Sequence, residues 1–133
     1  MHVRELTAEE RGVLDLLLTR RFPGRDALVE QARHARTTGP SCTCGCPSFA
    51  LVADHALAAA AVDERMPTDA HGSDPGGNAV GVLLFVDDGY LSEVEIYSTD
   101  VSDGFAGLPD PGSLKLSEWS EPDEAGTRRL LNP

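Results

Sequence analysis

The chain has no apolar run longer than Ala56 to Val62 or Ala79 to Val86, and both fall far short of the roughly 20 residues that span a bilayer. Nothing in it is expected to cross a membrane. The opening Met1-His2-Val3-Arg4-Glu5-Leu6 lacks the apolar stretch of a secretory signal, so a cytoplasmic location is expected. Cysteine is scarce. The three present are an odd number lying within five residues, which excludes a conventional disulfide framework, and free thiols are the default in a reducing compartment. There is no P-loop, dinucleotide fingerprint, His-Glu-x-x-His or nucleophile elbow. Gly76-Gly77 lacks the lysine and helix start of a phosphate cradle. No catalytic residue is assigned and no cofactor is expected.

Basic residues are also short. The net charge is −11, and its distribution is uneven: residues 1–36 carry seven Arg against six acids, whereas residues 37–133 carry four Lys and Arg against sixteen acids. Such a surface repels phosphate backbones, which excludes nucleic acid as a direct ligand. It would instead steer a basic protein toward the acidic half, beside the plain effect of keeping the chain in solution.

What is present reads as one α+β domain. The hydrophobic share of 41% and charged share of 25% are those of an ordinary globular chain, and no repeat or second domain is visible. Thr7-Ala8-Glu9-Glu10 is a capping box that starts a helix with Val13, Leu14, Leu17 and Leu18 on one stripe. Arg20 and Arg21 are expected in its last turn, at the negative end of the dipole. Phe22-Pro23-Gly24 breaks the chain, and a second helix is expected over 25–36 with a stripe of Leu28, Gln31, Ala32 and Ala35. Ser48 to Asp54 reads as a strand with Phe49 and Leu51 on one face. Ala56 to Val62 fits a short helix, a lengthened strand or a packed turn. Met66 to Ala70 reads as a weak strand, and His71 to Asn78 as a loop.

Ala79 to Thr99 predicts a hairpin around Asp87-Asp88-Gly89. The preferred register pairs Val86 with Tyr90, Leu84 with Ser92, Val82 with Val94 and Val80 with Ile96. It puts Val80, Val82, Val94 and Ile96 under the helices, with Leu91, Glu93, Glu95 and Tyr97 facing away. A two-residue turn at Asp88-Gly89 would shift the pairing by one. Phe105, Leu108, Leu114, Leu116 and Trp119 are spaced anchors of an extended segment. The expected architecture is two N-terminal helices packed on one face of a small antiparallel sheet, with a C-terminal hairpin and extended tail. Residues 1–119 form the domain, and residues 120–133 are expected to be frayed or disordered.

Two candidate sites emerge. Asp87, Asp88, Glu93 and Glu95 gather on one hairpin and could meet a basic partner. Paired carboxylates could also do acid/base work, but no His, Lys or Ser is tied to them by spacing. Cys42, Cys44 and Cys46 form Cys-x-Cys-x-Cys, whose thiolates suit zinc or copper(I). Side chains two apart on an extended chain lie about 6.6 Å apart, so this loop would have to turn at Gly45. A fourth ligand would have to come from His34, His55 or His71.

Arg4 to Glu10, Phe22-Pro23-Gly24, Cys44-Gly45-Cys46-Pro47-Ser48, Phe85 to Tyr97 and Leu108-Pro109 together resemble small uncharacterised proteins common in actinobacteria. The chain is also faintly similar to domains associated with toxin immunity. The resemblance covers residues 4–116 and supplies structural punctuation without catalytic residues. The leading expectation is a non-enzymatic acidic binding protein, immunity-like, contacting a basic protein. The alternative is a metal-binding or redox module built on Cys42, Cys44 and Cys46.

Overall fold

Thr7 caps the first helix as its side chain dictates. In the computed structural model, which describes residues 2–41, 46–98 and 105–133, Glu10 N donates to Thr7 Oγ1 at 3.1 Å and Thr7 N donates to Glu10 Oε1 at 2.8 Å. Arg4, on the short strand β1 (Arg4–Glu5), grips the same carboxylate through both Nη atoms at 2.7 and 3.0 Å. Burial alone would push the Glu10 carboxyl up, but Arg4 and the Thr7 backbone together hold it below the usual range. Replacing Thr7 by Ala should lower stability by about 1 kcal/mol, measured by urea unfolding.

Helix α1 (Ala8–Leu17) ends before Arg20, so the expected arginines in its last turn are a misreading. The Thr19 hydroxyl closes on Leu16 O at 2.6 Å and Arg25 Nε donates to Leu18 O at 2.6 Å, which satisfies the exposed carbonyls. Helix α2 (Arg25–His34) stops two residues before the expected Arg36, because Ala35 is extended and strand β2 (Arg36–Thr37) pairs with β1. Arg11 of α1 in turn donates to Ala32 O at 2.6 Å and Ala35 O at 3.4 Å. Each helix therefore lends an arginine to the C-terminal end of the other.

The remaining strands are β3 (Phe49–Ala50), β4 (Thr68–Ser73), β5 (Ala79–Asp87), β6 (Tyr90–Ser98) and β7 (Lys115–Leu116). They form an antiparallel sheet in the order β3-β6-β5-β4-β7. Its inner face carries Val80, Val82, Leu84, Val94 and Ile96, all essentially inaccessible, in one core with Val13, Leu14, Leu17 and Leu28 from the helices. Each such side chain contributes roughly 1.5–3 kcal/mol through burial. The α+β architecture with N-terminal helices and hairpin is as expected.

The hairpin register is not. Asp87 pairs with Tyr90 across a two-residue turn, with Asp88 at φ 52° and Gly89 at φ 85°, the geometry that matches strand twist. Ser92 is then the extra residue of a bulge, after which Leu84 faces Val94 and Val82 faces Ile96. The turn shifts the pairing by one and the bulge by one more. A slip of two preserves the faces, which is why the four expected core residues are buried in a register that differs from the expected one. The two-residue turn sets Leu91 opposite the buried Val86, so Leu91 faces inward and is 3% exposed, against the expectation that it faces away, and the bulge then returns Val94 and Ile96 to the same inner face.

Three other boundaries move. Strand β3 is only two residues long, although Phe49 and Leu51 are both buried as expected. Ala56 to Val62 is a packed irregular segment, fastened by Ala60 N to Gly89 O at 2.7 Å and Tyr90 Oη to Leu57 O at 3.0 Å. His71, Gly72 and Ser73 belong to β4 and not to the loop, which is confined to Asp74 to Asn78. There the Asp74 carboxylate accepts from Ala106 N, Asn78 Nδ2, Asn78 N and Gly76 N, all at 2.9–3.0 Å. These bonds, that from Ala106 first, hold its carboxyl below the ordinary range. A depressed carboxyl stabilises the fold above its unfolded pKa and stops doing so as pH falls through its folded value. Asp74→Asn should therefore lower the thermal midpoint at neutral pH and flatten its decline below about pH 4.

The segment beyond Trp119, expected to be frayed, folds back instead. Trp119 bridges to Leu130, and Ser120 N donates to Arg129 O at 2.8 Å. Asn132 Nδ2 reaches Leu116 O at 2.8 Å. Polar side chains close this hairpin-like return, so apolar periodicity gives no sign of it.

Candidate functional site

The four hairpin acids do not act as one cluster. Arg65 Nε donates to Asp87 Oδ1 at 2.6 Å and its Nη2 to Oδ2 at 3.3 Å, while its guanidinium lies 4.6 Å over the Phe85 ring. The Arg65 hydrogen bond, with help from Ser92, holds the Asp87 carboxyl below its ordinary value. Asp88 is exposed at the hairpin tip. Glu93 and Glu95 stand opposite Phe85 and Leu83 on the outer face of the sheet, both half-buried. Arg65 was missed because it lies 22 residues from Asp87 in a stretch with no periodic pattern.

Cys42 and Cys44 lie outside the described residues. The Cys46 thiol donates to Ser48 Oγ at 3.3 Å, and that hydroxyl accepts from Ile96 N at 2.7 Å. The proposed fourth ligands are engaged elsewhere. His34 lies 3.6 Å from Glu30, and His55 stacks on Tyr90 with ring centroids 3.9 Å apart. His71 meets Ser117 Oγ at 2.9 Å through Nδ1 and Asn132 O at 2.7 Å through Nε2. Nε2 faces a carbonyl and therefore carries a hydrogen, leaving Nδ1 to accept from Ser117 when the ring is neutral. Among the described residues no three His, Cys, Asp or Glu side chains converge as a metal set.

The outer face carries a different constellation. Tyr97 pairs with Gly81 across the strands, and a Cβ at position 81 would lie 2.1 Å from Tyr97 Cζ. The missing side chain lets the Tyr97 ring lie over β5 toward β4. There it joins Leu83, Met66, Pro67 and Trp119 around a groove of about 430 Å³ rimmed by Glu64, Asp69, Arg20 and Arg128. Met66, Tyr97 and Trp119 are each more than a third exposed, three of the largest apolar side chains left open to solvent.

Trp119 comes from the returning tail and is fixed by its Nε1–H, which donates to Asp69 Oδ2 at 2.8 Å. Arg20 is turned toward Thr68 Oγ1 at 3.2 Å and the carbonyls of Asp69 and Ser117. Arg128 Nε holds Ser120 O at 3.0 Å. Burial, then the charges of Asp69 and Glu95, push the Tyr97 hydroxyl up.

The sequence gives only one hint of this groove, the strand glycine at Gly81, since its parts come from five separate segments. A larger hollow of about 560 Å³ lies between the helices, lined by Arg11 and Arg25, whose guanidiniums serve as helix caps. Among the described residues none of the α-helices is long and apolar enough to cross a membrane. No protein-family model, curated protein or solved structure matches the chain.

Proposed function

We propose that this chain is a non-enzymatic binding protein whose outer sheet face docks a basic protein partner. The observation that carries the reading is that Glu93 and Glu95 share that face with Leu83, Phe85 and the exposed Tyr97. Apolar area supplies contact, and interleaved carboxylates set orientation and encounter rate. The acid excess beyond residue 36 is of the right sign for a cationic surface, and the faint similarity to immunity-associated domains is in keeping with a protein that covers a partner. Asp87 pairs with Arg65, whose charge Glu93 also meets, so Glu95 together with Glu93 carries the remaining negative charge of the face.

The test is the association rate with the basic protein recovered by cross-linking in the native host, for wild type and for the double variant Glu93→Gln, Glu95→Gln. The double variant should associate roughly fivefold more slowly at low salt and show a flatter salt dependence, while its thermal midpoint moves little because partly exposed charges contribute little to folding. Equal rates at low salt, or a recovered partner that is acidic, would overturn the reading.

A further inference from the structure

We propose that residues 118–133 form a strap along the edge of the outer sheet face that opens as one unit about Ser117, with Asn132 as its clasp. The inference goes beyond the docking reading and depends on no partner. Up to Ser117 the chain is bound into the domain: Leu114 and Ser117 are buried, Ser117 N donates to Asp69 O at 3.0 Å, and Ser117 O accepts from Arg20. Past Ser117 no residue is buried. A segment with no buried apolar side chain and with solvent-exposed main-chain bonds opens at a fraction of the free energy of global unfolding.

The strap pairs largely with itself. Leu131 N donates to Glu118 O at 2.6 Å, Ser120 N to Arg129 O at 2.8 Å and Asp123 N to Thr127 O at 2.9 Å. A lone hairpin is marginal in water, so this one depends on its fastenings to the domain. At one end the Trp119 indole N–H donates to Asp69 Oδ2. At the other, Asn132 Nδ2 donates to Leu116 O and its Oδ1 accepts from Glu118 N, both at 2.8 Å, while its main-chain O accepts from His71 Nε2 at 2.7 Å. Asn132 thereby closes the strap on itself and pins it to β7 and β4. Opening withdraws Trp119 and Arg128 from the groove and leaves Asp69 Oδ2 without its indole donor, which changes the surface that the outer face presents.

Amide hydrogen exchange of the full chain, resolved residue by residue, tests the strap. The Ser120, Asp123 and Leu131 amides should exchange at least about a hundredfold faster than those of the buried Leu51 and Val86. Asn132→Ala removes both side-chain bonds of the clasp and should speed the three strap amides together, by about tenfold, with the thermal midpoint nearly unmoved. Trp119→Phe keeps a ring but loses the bond to Asp69, and should speed the same three amides from the other end. Trp119 is the sole tryptophan, so in Asn132→Ala its emission should also become easier to quench with acrylamide.

Strap amides exchanging as slowly as Leu51 and Val86 would overturn the proposal by making the segment part of the core unit. Faster exchange at Leu131 alone in Asn132→Ala would overturn it too, because the end would then fray without the rest. A large fall in the thermal midpoint of Asn132→Ala would show that the clasp holds the whole domain and not a separate strap.

Discussion

Gln31→Leu should lower stability by about 3 kcal/mol and the thermal midpoint by about 10 °C, although it exchanges a polar side chain for an apolar one of similar size. Gln31 is fully buried. Its Nε2 donates to Ala58 O and Gly89 O, both at 2.9 Å, and its Oε1 accepts from Leu91 N at 3.0 Å. One amide thus ties α2, the irregular segment before β4 and the hairpin tip together. Gly89 O retains the bond from Ala60 N after the substitution, but the Leu91 N–H would be buried without a partner and the exposed Ala58 would lose its tie to α2. That buried orphan costs about 1–3 kcal/mol, and the loss of the three bonds adds to it. Gln31→Glu provides a second readout. It keeps an acceptor for Leu91 but turns a carboxylate toward two carbonyls, so that variant should gain stability as pH falls and the side chain protonates. Chemical denaturation at two pH values measures both effects, and a Gln31→Leu variant as stable as wild type would show that the amide is not the link.

Gly89→Ala should cost about as much, for a separate reason at the same junction. Its φ of 85° lies in the left-handed region, which charges an alanine about 1–2 kcal/mol. The added Cβ would also lie 2.8 Å from Ala59 Cβ and 2.9 Å from Ala60 O, a clash with backbone that cannot swing aside, adding about 1–3 kcal/mol. Gly77→Ala separates the two contributions, because Gly77 has a φ of 82° and open space around it; that variant should lose only about 1 kcal/mol. Since Gln31 and Gly89 hold the same contact, the double variant Gln31→Leu, Gly89→Ala should be less destabilised than the two singles added together. Equal losses for Gly77→Ala and Gly89→Ala in urea unfolding would show that packing against Ala59 and Ala60 contributes nothing.

The parts of this fold legible in the sequence are those encoded by neighbours. Thr7 and Glu10 announce a helix start because the capping bonds join residues three apart. The inner face of the hairpin is legible because strand periodicity survives a register error of two. The two-residue turn and the bulge at Ser92 that follows it leave no mark in the hydrophobic pattern, because together they preserve the faces of Val94 and Ile96, so both the register and the side of Leu91 were misread. The placement of two of the four hairpin acids was legible in the same sense. Glu93 and Glu95 alternate visibly onto one face, but the charge of Asp87 is cancelled by Arg65 from a distant segment. The groove was illegible for the same reason at larger scale. Its floor is strand, one wall is the returning tail, and only folding brings Trp119 to Asp69.

The Gln31 link also bears on the order in which the chain assembles. The two-residue turn lets β5 and β6 zip with little loop to close, whereas the three Gln31 bonds span 27, 58 and 60 residues. Closing such loops costs entropy before any of those bonds can form. Disrupting them is therefore expected to speed unfolding while leaving the folding rate nearly untouched, as the two limbs of a denaturant-dependent rate plot would show. The amide that joins the three parts acts as a kinetic latch, setting how long the assembled protein lasts and not how quickly it forms.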